Sequence, residues 1–149
     1  MKRSLAAAIP VLLSVNLAYA QKLEFTNPEG MTTPERYTHV VKAGRLLFIS
    51  GQVGRNAAGQ IVGPGMREQL DQTLTNIATA LKSQGADISN VAKITTYVTS
   101  MSEYQSPEVS AVRTKHFGNH KPASTSLEIV QLANPAYKVE VEAIAILPE

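Results

Sequence analysis

The chain contains no cysteine and no tryptophan in its 149 residues. Without sulfur ligands or thiol chemistry, a disulfide scaffold, a zinc finger, an iron–sulfur centre and a cysteine nucleophile are all excluded. Aromatic residues make up only 5%, and no charge of one sign dominates. Lys2 and Arg3 account for the formal net charge of +2, so residues 21–149 balance 12 basic against 12 acidic side chains. The basic residues are scattered and no aromatic–basic platform accompanies them, which removes the electrostatic grip that nucleic-acid binding needs. No nucleic acid is expected as a partner.

Long hydrophobic runs are missing too. The apolar stretch from Leu5 to Leu17 spans 13 residues, short of the roughly 20 that a membrane-spanning helix requires. Preceded by Met1-Lys2-Arg3 and followed by Ala18-Tyr19-Ala20, it reads as a secretory signal peptide over residues 1–20, cut after Ala20. The expectation is a periplasmic or secreted protein with no membrane partner in its mature form. With 44% hydrophobic residues, the remainder suits one domain whose core holds the fold without disulfides.

Residues 21–36 hold two prolines, a glycine and no sustained period, which predicts a surface arm or loop leading into a domain over 37–149. Thr38–Lys42 and Arg45–Ser50 are β-branched and apolar, joined by Ala43-Gly44, and predict a hairpin that the chain leaves at Gly51-Gln52-Val53-Gly54. After Gly63-Pro64-Gly65 the period changes from two to 3.6. Met66, Leu70, Leu74, Ile77 and Leu81 share one face of a helix over Met66–Ser83, stopped by Gly85. Val91–Thr99 reads as a strand. Ser106-Pro107 is an N-cap with proline at the first helical position, opening a second helix to Phe117. Strands around Thr125–Gln131 and Tyr137–Ile146 complete a β-β-α-β-α-β-β order, an α+β domain with both helices on one face of a mixed or antiparallel sheet.

The last strand has two apolar faces. Val139, Val141, Ala143 and Ala145 point one way and Glu140, Glu142, Ile144 and Ile146 the other. If helices cover one face, the second needs another cover, and self-association of sheets around a symmetry axis supplies it.

Glu140 and Glu142 are the candidates for acid or base work, two carboxylates on one side of a strand near apolar neighbours. Ordinary solvated or paired strand residues are the alternative. His116 and His120 lie four apart, but Gly118-Asn119 ends the helix between them, so no metal site is expected, and His39 reads as a satisfied structural residue. Ser50, in Ile-Ser-Gly-Gln, lacks the first glycine of a nucleophile elbow and reads instead as a polar pocket group. The glycines around Pro64 lack the lysine and spacing of a phosphate loop, and no cofactor is expected.

An ordered set of pieces carries a resemblance. Tyr37, then Ser50-Gly51-Gln52, then Gln72, Leu74, Asn76-Ile77, Leu81 and Gly85 on the helix, Pro122-Ala123, and Val139 to Ala145 together resemble the RidA/YjgF (Rid) family, from about Tyr37 to Leu147. The resemblance implies a chorismate-mutase-like fold and a homotrimeric barrel with clefts between subunits. In the deaminating members an arginine directly after Pro-Ala holds the carboxylate of a 2-imino acid, and a glutamate on the last strand positions the attacking water. That glutamate corresponds to Glu140, and Tyr37, Ser50 and Gly51 to cleft residues. The arginine position is Ser124, and Arg-Ser-Cys reads Ser124-Thr125-Ser126 here. A hydroxyl cannot replace a bidentate guanidinium, which leaves Ser124 and Ser126 as hydrogen-bonding, substrate-binding candidates; Arg36 and Arg113 are the cations that could stand in from elsewhere. Two functions are compatible with these residues. One is a hydrolase or deaminase acting on an imine, enamine or related electrophile; the other is a non-catalytic trimer that binds a small metabolite or a protein. Ribonuclease activity, reported for some relatives, is disfavoured by the balanced charge.

Overall fold

The computed structural model describes residues 21–148; the expected signal segment, 1–20, lies outside them. Six strands form one mixed sheet: β1 (Leu23–Thr26), β2 (Val40–Ala43), β3 (Leu46–Val53), β4 (Val91–Val98), β5 (Ala123–Glu128) and β6 (Val139–Ile146). Their order across the sheet is β1-β2-β3-β6-β4-β5, antiparallel throughout except for the parallel β4–β5 pair. The helices are α1 (Met66–Lys82), a single turn α2 (Met101–Tyr104), and α3 (Pro107–Phe117).

The expected α+β layering holds, with differences at the ends. The stretch expected to be a loose arm includes a strand: Leu23–Thr26 pairs with β2, and Glu24 meets Lys42 at 3.2 Å across the pair. Four residues with one long-range partner leave too short a pattern to be legible amid proline and glycine. The hairpin turn is where expected, with Gly44 at φ 62°, a conformation costly for any other residue. β3, however, does not end at Ser50. It runs to Val53 through a register irregularity between Ile49 and Gln52, one extra residue against β6. Such a bulge bends the strand and re-aims its side chains, here Ser50 and Gly51. β5 begins at Ala123 and stops at Glu128, short of the predicted Gln131.

The helix stripe is buried as its period requires. Met66, Leu70, Leu74, Ile77 and Leu81 are at most 1% exposed, and α1 packs on β3 and β6 over Val139, Val141, Ala143 and Ala145. Gly65 leaves the first amides of α1 without a side-chain cap. The carboxylate of Glu103 supplies one from α2, accepting from the Met66 amide at 2.9 Å. Ser106 caps α3 as predicted, with Pro107 in its first turn.

Among the described residues no helix packs on the opposite sheet face. Phe25, Val41, Phe48 and Ile144 stand in one cross-strand row, and Leu46 and Ile146 in the next. Phe25 is 63% exposed, and Leu46, Phe48 and Ile146 are each more than 40% exposed. β6 is thus two-faced, as its alternation indicated.

Candidate functional site

The bulge in β3 opens a cavity of about 580 Å³, walled by Tyr37, Ser50, Gly51, Arg55, Tyr137 and Glu140 among others. Each wall is pinned from behind. His39, 4% exposed, donates from Nε2 to the Thr32 carbonyl at 2.8 Å, and its Nδ1 accepts from the Gln52 amide at 3.1 Å. Those partners assign the neutral tautomer, and His39 is a structural residue, as its place in a strand indicates. The same Gln52 amide donates to the Ser50 carbonyl at 2.8 Å, and the Ser50 hydroxyl donates to the Thr38 carbonyl at 2.6 Å. The hydroxyl proton of Ser50 is therefore committed, and its remaining capacity is to accept.

Two residues of α1 hold the rest of the wall. The Asn76 amide donates to the carbonyls of Val53 and Arg55 at 3.1 and 3.0 Å. Gln69, fully buried, donates to the Ala136 carbonyl and accepts from the Lys138 amide, both at 2.9 Å, which ties the segment before β6 to the helix. A Cβ at Gly54 would sit 2.6 Å from the Gln69 backbone, so only glycine lets the chain pass this close to α1.

Glu140 projects from β6 onto the bulge. Its carboxylate lies directly against Gly51: a Cβ there would overlap one carboxylate oxygen and lie 2.8 Å from the carboxylate carbon. Among the described residues no hydrogen bond or ion pair reaches this carboxylate. Burial, and secondarily the neighbouring Glu142, raises its pKa above the ordinary 4.5. Glu142 lines the same cavity. Tyr37 stands edge-on to His39, with centroids 5.7 Å apart. Burial raises the Tyr37 pKa; Arg55 opposes this, while Tyr137 and Glu140 reinforce it. A carboxylate that holds its proton more tightly than usual, beside a phenol and a hydroxyl oxygen, can take a proton from water and return it.

The remaining candidates go elsewhere. Ser124 and Ser126 lie on β5 in register with Ile94 and Thr96, on the helix-side face, and Ser124 lines a separate cavity of about 460 Å³. Within one protomer they do not meet Glu140. Arg113 borders that second cavity, stacked 4.4 Å over the Tyr104 ring and bonded to Ser110, and Arg36 is not among the residues lining the Glu140 cavity. His116 bonds Asp71 at 2.6 Å and His120 the Val91 carbonyl at 2.7 Å, so the two rings serve different partners. The residues that sequence reasoning missed are Arg55 and Tyr137. Neither carries a motif; the loop that places each in the cavity is set by Asn76 and Gln69.

Comparison with known proteins decides the family. The chain matches the endoribonuclease L-PSP family over residues 29–147. It is a member of the RidA/YjgF/L-PSP (Rid) family. Among its Rid relatives, the 2-iminobutanoate/2-iminopropanoate deaminase of Bos taurus is 35% identical over 74% of this chain and 79% of its own. The chloroplastic Reactive Intermediate Deaminase A of Arabidopsis thaliana is 29% identical over 91% and 71%. A Mycobacterium tuberculosis member of the YjgF/YER057c/UK114 family superposes with a TM-score of 0.71 at 26% identity, covering 85% of this chain and 100% of that one. The fold is accordingly the Rid, chorismate-mutase-like one.

Proposed function

We propose that this Rid protein hydrolyses a C=N bond, releasing ammonia from a small imine or enamine. The observation that carries the reading is the Glu140 carboxylate, seated on Gly51 in a polar cavity with no hydrogen-bond or ion-pair partner among the described residues. Glu140 draws a proton from a water as the water oxygen bonds to the imine carbon. That proton passes to nitrogen, giving a carbinolamine; the remaining hydroxyl proton is then relayed to nitrogen through Glu140 as the C–O double bond forms and the C–N bond breaks with its electron pair leaving on nitrogen, and a ketone and ammonia result. One water is consumed and no oxidant is needed. The relatives named as deaminases, one of them of 2-iminobutanoate and 2-iminopropanoate, support the reaction class.

The cleft is completed by self-association. The open sheet face, with Leu46, Phe48 and Ile146 exposed, is the surface that a homotrimeric barrel would cover. In that assembly the Ser124–Ser126 edge of one protomer faces the Glu140 cavity of the next. Because Ser124 stands where the deaminases have arginine, the standard 2-imino acid is not the preferred substrate. That same serine favours one alternative, a trimer that binds a metabolite without converting it. We place the protein in the periplasm or outside the cell, on the signal-peptide pattern of residues 1–20.

The test is ammonia release from 2-iminobutyrate, generated in situ by an amino-acid oxidase, for the natural protein, Ser124→Arg and Glu140→Gln. Turnover by either of the first two that disappears on adding Glu140→Gln supports hydrolysis. Inactivity of both, with a ligand that stabilises the protein unchanged, favours the binding module.

A further inference from the structure

Among the described residues that line the Glu140 cavity, Arg55 is the one lysine or arginine; the rest offer two carboxylates and neutral groups. Its backbone is held on three sides: its carbonyl accepts from Asn76 at 3.0 Å, its amide donates to Val53 at 2.7 Å, and it bridges to Ile61 across the loop. The side chain is braced as well, with Nε donating to the Gly59 carbonyl at 2.7 Å. Among the described residues no acidic group pairs with its two terminal nitrogens. A guanidinium so anchored at Nε presents its free edge as a preorganised fork for an oxyanion.

The placement also says where the anion sits. Arg55 is exposed whereas Glu140 is half-buried on the bulge. The Tyr37 phenol lies within the electrostatic reach of both, lowered by one and raised by the other. The cavity is therefore polarised, with a guanidinium at its exposed side, a carboxylate at its half-buried side and the Tyr37 phenol in the same lining.

We propose that Arg55 is the anion-recognition residue of this site, and that its ligand carries a carboxylate separated by several bonds from the carbon that faces Glu140. The inference rests on the hydrolytic reading above and deepens it. It accounts for serine at position 124: a substrate gripped by Arg55 through a distal acid needs no second arginine beside the reacting carbon.

The probes are 2-iminobutyrate, whose acid adjoins the imine carbon, and 2-iminoglutarate, which adds a distal one, each formed in situ by an oxidase. Wild type should process 2-iminoglutarate with at least tenfold higher kcat/KM. Arg55→Gln should erase that preference through KM, lowering kcat/KM for 2-iminoglutarate at least tenfold, and by more than it lowers that for 2-iminobutyrate, with kcat for 2-iminoglutarate within about threefold. Arg55→Lys, which keeps the charge without the fork, should fall between them. Equal losses on both substrates, or no loss on either, would overturn the assignment. Calorimetry with the product 2-oxoglutarate separates the two claims. If binding weakens at least tenfold in Arg55→Gln but not in Glu140→Gln, while no imine is turned over, the hydrolytic reading fails and the anion site stands. Glu140-dependent turnover with binding indifferent to Arg55 gives the converse, and the absence of both binding and turnover overturns both. Urea midpoints equal to wild type confirm that the Arg55 variants fold.

Discussion

Replacing Gly51 with alanine tests whether the Glu140 carboxylate is placed by the absence of a side chain. The added Cβ would lie 2.8 Å from the Glu140 carboxylate carbon, whereas carbons make contact at about 3.5–4.0 Å. The carboxylate must therefore retreat by about 1 Å, because the Gly51 backbone is tied into the sheet on both sides of the bulge. Displacement on that scale costs catalysis on the order of 10²-fold, equivalent to about 2.7 kcal/mol of transition-state stabilisation. The loss should fall on kcat, since Arg55 and Tyr37 are untouched. A carboxylate pushed towards solvent also loses the burial that raises its pKa, so its titration should move down towards the ordinary 4.5. Ammonia-release kinetics and a carboxylate NMR titration read the two effects separately. Gly51→Ala with kcat within threefold of wild type and an unmoved Glu140 titration would refute the reasoning.

Glu140 also sets a pH signature. Its folded-state pKa is raised, so the stability tied to its proton is complete below about pH 4.5 and is lost as pH rises through the folded value; Glu140→Gln should be inactive yet more stable than wild type at pH 7, with the difference closing by pH 4 in urea titrations. Asp71 has the opposite sign: Lys115 first, then His116, hold its pKa below the ordinary 3.8. Asp71→Asn should cost about 0.5–1 kcal/mol at neutral pH, a small figure because the carboxylate is partly open to solvent, which screens the pair, and the cost should vanish as pH falls below about 3.8 through the folded pKa. Gln69→Leu keeps the volume but strands the Ala136 carbonyl and the Lys138 amide; a loss of about 2–4 kcal/mol in urea denaturation is expected, and under about 1 kcal/mol would mean water replaces the amide.

The local pattern of this chain was legible wherever one element answers to one period. The stripe from Met66 to Leu81 became the buried face of α1, Ser106-Pro107 became the cap of α3, and the alternation of β6 separated its buried face from its half-open one. Glu140 was legible for the same reason, since its face follows from its place in the strand. β1 was not: four residues acquire their identity from pairing with Val40–Ala43, which no local period announces.

The site shows the same division. Sequence by itself determined the family, the residue types Tyr37, Ser50, Gly51 and Glu140, and the replacement of an expected arginine by Ser124. Tertiary structure alone decided that one extra residue in β3 turns Gly51 under the Glu140 carboxylate. It also decided that Asn76 and Gln69, reaching from a helix, draw Arg55 and Tyr137 into the cavity. The physical reason is range: helical and strand periods are set by bonds between near neighbours in the chain, whereas a site is set by contacts between segments that only the folded sheet brings within hydrogen-bonding distance.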